Sequence, residues 1–161
     1  MNKNVVIVDY GLGNLFSVGQ ALKNIGVQAT ITDSKDHIAQ ADAVILPGVG
    51  AFGKAMENLQ KKDLISPLLA KLNEGKPFLG ICLGLQLLFE ESEEFGIHKG
   101  LGFVQGYVKK IPSQLDNQIL RVPQIAWNKI YGAGLIEWEG TVLKNISQGS
   151  YVYFVHSFYV E

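Results

Sequence analysis

The first 92 residues repeat one pattern: a short β-branched or apolar run, a turn, then a segment of helical periodicity. "NVVIVD" (4–9), "VQATIT" (27–32), "AVILPG" (43–48) and "PFLGI" (77–81) read as strands, since short apolar runs ended by turn residues suit strands covered on both faces. Asn14 is placed to cap a helix whose apolar positions Leu15, Val18, Leu22 and Ile25 follow 3.6-residue spacing, with Gly26 ending it. "VGAFGKAMENLQ" (49–60), "LISPLLAKLNEG" (64–75) and "LQLLFEES" (85–92) supply further helices. Strands alternating with helices imply right-handed crossovers and a doubly wound, largely parallel α/β sheet of flavodoxin-like type. From about Gly100 the texture changes. "LGFVQGYVKKI" (101–111), "ILRVPQIAWNKI" (119–130), "GLIEWEG" (134–140) and "YVYFVHSFYVE" (151–161) are strand-like without helical pattern, so antiparallel strands are expected there. With no repeat, low-complexity segment or linker, residues 1–161 are expected to form a single domain.

Composition narrows the function. At 47% hydrophobic and 18% charged residues the chain has a globular balance and enough length for a sizeable core. The net charge is −1 and no Lys/Arg run occurs, so neither nucleic acid nor an anionic membrane surface is an expected partner. A single cysteine forms no intramolecular disulfide and no cysteine-based zinc site, and no histidine–acid spacing suits a metal; neither metal nor cofactor is predicted. The N-terminal apolar run is too short for a signal-peptide core, which points to the cytoplasm.

That cysteine, Cys82, lies in Gly80-Ile81-Cys82-Leu83-Gly84, between a predicted strand and a predicted helix. A reactive side chain on a strand-to-helix corner needs small neighbours, because the turn is tight and strained. The corner also places the thiol at a helix N-terminus, whose N–H groups favour a thiolate and a developing oxyanion. Cys82 is therefore a candidate nucleophile rather than a buried small hydrophobe. "LPGVGAFG" (46–53) closes the third strand with a Pro-Gly-x-Gly turn whose exposed N–H groups suit an oxyanion hole. The pair Gly11–Gly13 after the first strand evokes a dinucleotide fingerprint, but Phe16 occupies the third glycine position; a structural or partner-contact loop fits better. His37 and His98 read as solvated loop residues, and His156, in a strand-like run, as a packing or hydrogen-bonding residue. The acids Glu90, Glu91, Glu93 and Glu94 read as a solvated helix end close enough to Cys82 for one to touch substrate, and Trp127 and Trp138 default to core.

Taken in order and spacing, "DYGLGNLFSV", "LPGVGAFG", "GICLGLQLLFEES", "PQIAWN" and "VHSFY" closely resemble class I glutamine amidotransferases, nearly end to end. Within that family the likeness is greatest to the glutaminase subunits of imidazole glycerol phosphate synthase, from histidine biosynthesis. The resemblance implies that Cys82 attacks the side-chain amide of glutamine and that Gly50 and Leu83 supply the oxyanion hole. It implies that Gln86, Glu94, His156, Ser157 and Phe158 hold the glutamine. It implies a heterodimer with a (βα)₈-barrel cyclase, faced by Gly11, Gly13, Asn14, Pro123, Trp127 and Asn128, through which ammonia travels. Two departures stand out. Ala126 replaces the family's usual glycine, and the family's catalytic histidine and glutamate lie in a "HPE" segment beyond "HSF", past Glu161. The 161 residues are thus expected to lack a C-terminal segment and to be inactive as they stand. Two alternatives stay open: a non-catalytic domain that only docks on a synthase, and an amidotransferase of another pathway such as surface-sugar amination.

Overall fold

The computed structural model describes residues 3–116, 118–132 and 138–161. The chain runs β1 Val5–Val8, α1 Leu15–Asn24, β2 Ala29–Thr32, α2 Lys35–Ala39, β3 Ala43–Gly48, α3 Phe52–Lys61, α4 Ile65–Asn73, β4 Phe78–Cys82 and α5 Leu83–Gln86. It continues with β5 Glu91–Ser92, β6 His98–Lys99, β7 Tyr107–Lys110, β8 Gln114–Leu115, β9 Gln118–Ile119, β10 Gln124–Lys129, β11 Tyr151–His156 and β12 Phe158–Val160.

The four apolar runs of the first half form one parallel sheet in the order β2-β1-β3-β4. The order reverses between β1 and β3, so right-handed crossovers put α1 on one face and α3 and α4 on the other. This is the doubly wound α/β architecture that the alternating sequence pattern predicts. Val6, Val8, Val44 and Leu46 of the central strands are buried with Phe52, Leu59, Leu68 and Leu87. Each such side chain contributes about 1.5–3 kcal/mol relative to exposure. The central strands and α3–α4 therefore anchor the sheet, whereas α1 has no buried residue and its C-cap Ile25 is 73% exposed. Asn14 caps α1 as expected, accepting from the Ser17 N–H at 3.1 Å.

Several elements differ from expectation. α2 was not foreseen: Ser34 caps it and Ile38 alone is buried, so five residues carry no periodic signal. His37 consequently sits on a helix rather than in a loop, its Nδ1 3.1 Å from the Thr32 hydroxyl. The helix expected over 85–92 stops at Gln86, after which the Leu88 and Phe89 N–H groups bond three residues back, to Leu85 and Gln86, and the chain turns into β5.

The described chain divides into two compact units, one ending at Lys110 and including Phe158–Glu161, the other Ile111–Ser157. The first holds the parallel sheet and a second sheet, β12-β7-β5-β6, in which β12–β7 and β5–β6 are antiparallel. The second holds the hairpin β8–β9 and the six-pair antiparallel ribbon β10–β11; none of its described residues is buried. The strand expected over 134–140 falls mostly outside the described residues.

Candidate active site

Cys82 is the last residue of β4 and the residue that caps α5, and it is exposed. Its backbone has φ 54° and ψ −115°, a region L residues rarely enter and one that costs about 1–3 kcal/mol. Three glycines make the corner possible. A Cβ on Gly80 would lie 2.6 Å from the Leu85 Cα, and one on Gly84 would run into the Leu46 carbonyl oxygen. Gly48 stands opposite Cys82 in the β3–β4 ladder, where a Cβ would come within 2.8 Å of both the Gly84 nitrogen and the Leu83 Cβ. The strand ends and the first turn of α5 thus pack backbone to backbone. With only four residues α5 carries less dipole than the sequence suggested, but Leu83, its first residue, has an N–H with no acceptor inside the helix.

Gly50, at φ 120°, lies in the turn between β3 and α3. The loop after β1 packs on that turn: the Gly50 Cβ position is 3.8 Å from Leu12 Cδ2, and the Gly13 Cβ position is 3.5 Å from the Gly48 nitrogen. The Gly11 N–H donates to Asp9 Oδ1 at 2.9 Å, closing a small turn. From α3 and its C-cap, Asn58 Nδ2 donates to the Tyr10 carbonyl at 3.0 Å and Lys62 Nζ to the Asp9 carbonyl at 3.2 Å and to Asp33 at 2.9 Å. The Lys62 ammonium holds the Asp33 carboxyl below its usual range. Loops at the carboxyl ends of β1, β3 and β4 therefore meet at the point where strand order reverses, the usual place for a ligand in such sheets.

Glu94 Oε2 accepts from the Phe52 N–H at 2.7 Å, supplying the cap that Ala51 cannot give α3. His98, expected in a loop, lies in β6 with its ring against α3: a Cβ on Gly53 would be 2.7 Å from its Cε1. Gln86 Nε2 donates to the Phe158 carbonyl at 3.2 Å. A groove of about 560 Å³ lined by Gln60, Asp63, Ser66 and Asn73 includes neither Cys82 nor Gly50.

The family model for class I glutamine amidotransferases matches residues 6–161. The chain belongs to this family. Among relatives of this amidotransferase, "imidazole glycerol phosphate synthase subunit HisH" of Syntrophotalea carbinolica is 46% identical over 158 residues, covering 97% of this chain and 75% of that protein. The protein of the same name from Aquifex aeolicus is 44% identical over 156 residues, covering 96% and 71%. A crystal structure of a glutamine amidotransferase superposes with a TM-score of 0.71 at 20% identity, covering 98% of this chain and 74% of that one, which shows the shared fold.

The amidotransferase's first unit thus groups Cys82, Gly50, Leu83, Gln86, Glu94 and Phe158 around two strand ends and the α3 N-terminus. Its second unit carries His156 at the end of β11, Ser157 after it, and Pro123, Trp127 and Asn128 in or just before β10. Trp127 is 65% exposed, not core, and tilts against Tyr153 at 5.5 Å between ring centroids. Ile125 faces Val155 in the same register, and Lys129 Nζ stands 5.4 Å over the Tyr151 ring. Among the described residues no three His, Cys, Asp or Glu side chains gather as a metal site, and no helix is long and apolar enough to cross a membrane. The residues that sequence reasoning missed are Tyr10, Asn58 and Lys62. They lie in or beside predicted elements, and only tertiary packing turns them toward the loops.

Proposed function

We propose that this amidotransferase is the glutaminase subunit of imidazole glycerol phosphate synthase, acting in the cytoplasm on glutamine and passing ammonia to a (βα)₈-barrel cyclase in histidine biosynthesis. The observation that carries the reading is the strained Cys82 corner with Gly48 opposite it in the ladder, joined to the Gly50 turn. The names of the two relatives supply the pathway and the assembly. Cys82 Sγ bonds to the amide carbon of glutamine, and the carbonyl oxygen becomes an oxyanion held by the Gly50 and Leu83 N–H groups. The carbon–nitrogen bond then breaks, ammonia leaves with the thiol's proton, and water cleaves the thioester to give glutamate. Gln86, Glu94 and the 156–158 segment position the glutamine, while the Gly11–Asn14 loop and Pro123, Trp127 and Asn128 face the cyclase. A Cβ added to Gly50 would lie 3.8 Å from Leu12 Cδ2, so Leu12 of the docking loop sits beside the oxyanion loop.

Proton transfer requires a general acid–base. In this reading it is the family's His-Pro-Glu segment, and His156 holds substrate instead. The test is glutamate release from glutamine by a chain carrying that segment, assembled with the cyclase. Cys82→Ala abolishes release if the reading holds; retained release overturns it.

A further inference from the structure

We propose that Tyr10 is a positioning residue for the oxyanion loop: its hydroxyl pins the Pro47 carbonyl, and with it the turn to Gly50, against the Cys82 corner. The inference rests on the glutaminase reading. Tyr10 follows β1, is fully buried, and donates from Oη to the Pro47 carbonyl at 2.8 Å. A Cβ on Gly48 would strike the same hydroxyl, so Oη lies directly against the strand end that pairs with Cys82. The Tyr10 backbone is itself held, its carbonyl accepting from Asn58 Nδ2 at 3.0 Å.

From this anchor to the oxyanion donor the chain runs through Gly48, Val49 and Gly50. Val49 is exposed and Gly50, at φ 120°, has Leu12 beside it but no side chain of its own, so little torsional preference aims its N–H. Aiming a donor to within about 0.5 Å needs a fixed support behind it. Without the hydroxyl, the Pro47 carbonyl also loses a buried partner, which favours a different turn. Burial, and secondarily the nearby Cys82 charge, push the Tyr10 phenol above its ordinary range, so it stays a donor wherever the enzyme works. A tyrosine kept only to fill the core would need its ring and not its hydroxyl, which makes Tyr10→Phe the discriminating change.

The experiment compares wild type and Tyr10→Phe in a chain carrying the His-Pro-Glu segment and assembled with the cyclase. Two rates are read: glutamate release, and alkylation of Cys82 by iodoacetamide followed at its own peptide. Alkylation displaces iodide from a saturated carbon and develops no oxyanion, so it reports the thiol and the corner but not the hole. Removing one oxyanion donor costs about 10²–10³ in kcat; losing the support behind it is expected to lower kcat about tenfold to hundredfold. KM and the alkylation rate should stay within about twofold. An unchanged kcat overturns the proposal. So does a parallel loss of both rates, since the hydroxyl then holds the whole corner rather than the loop. A wild-type chain that releases no glutamate refutes the glutaminase reading instead, before Tyr10 is tested.

Discussion

Gly84 and Gly19 both lie in helices, yet substitution should move stability in opposite directions. A Cβ at Gly84 meets the Leu46 carbonyl, which is backbone and cannot rotate away; at Gly19 it meets only Ile7 Cδ1 at 4.0 Å. Gly84→Ala is expected to cost about 3 kcal/mol or more, at the upper end of overpacking, and Gly19→Ala to gain about 0.5–1 kcal/mol. Denaturant unfolding of the two variants checks the pair. The close approach at residue 84 was legible, because Gly-x-Cys-x-Gly between a strand and a helix has few other uses. Tyr10 was not, since nothing local says that a tyrosine after a strand turns its hydroxyl onto the end of another strand 37 residues on. Its ionisation gives a further prediction. The folded-state pKa is raised above the unfolded value of about 10, so the stabilisation is complete below pH 10 and is lost as pH rises toward the folded value. Above pH 10 wild type should lose up to about 1.4 kcal/mol per pH unit more than Tyr10→Phe does. Parallel alkaline limbs in urea titrations of the two would show that Tyr10 ionises freely in the fold.

At the scale of elements, what was legible depended on whether a segment advertises its own periodicity. β1, β3, β4, α3 and α4 are continuous apolar or amphipathic segments, and their type could be read directly. α2 rests on one buried side chain, and α5 is cut short where Leu87, Leu88 and Phe89 turn into the core, so neither boundary is written locally. Glu94 illustrates the same limit: a glutamate in an acidic run looks solvated, but it caps a helix 42 residues earlier in the chain. Glu94→Ala should therefore lower stability by about 1 kcal/mol through the lost cap, in addition to raising KM for glutamine in the proposed role. Glu94→Gln, which keeps an acceptor, should recover most of the stability. Equal stability of wild type and Glu94→Ala would remove the cap from the account. The ribbon β10–β11 presents Ile125, Trp127, Tyr151, Tyr153 and Val155 to its surroundings. Aromatic anchors of this kind dominate interface energetics, so Trp127→Ala should weaken cyclase binding at least about thirtyfold while changing thermal stability little. Unchanged affinity in a titration of the two subunits would take Trp127 out of the interface.

For the molecule as a whole, binding and turnover make different demands on the chain. Residues 1–161 supply a strained, exposed Cys82 and, in the proposed reading, two oxyanion donors and side chains for glutamine, so attack on an electrophile needs little more. Cys82 is accordingly expected to react with iodoacetamide in residues 1–161 alone. Turnover needs a group to protonate the leaving ammonia and then to activate water against the thioester. Removing the histidine of a catalytic triad costs on the order of 10⁶ in rate in a protease whose chemistry makes the same two demands. β4 ends in Cys82 with Leu79 49% exposed, and among the described residues it pairs only with β3. An open strand edge and the apolar ribbon face are both sites of unwanted association, so residues 1–161 should be less soluble than a chain carrying the His-Pro-Glu segment. The decisive measurement is glutamate release from residues 1–161 and from that longer chain, each with saturating cyclase. The first is expected to show no release above background and the second to turn over. Equal rates would place the base within residues 1–161, and His156→Ala would be the first substitution to locate it.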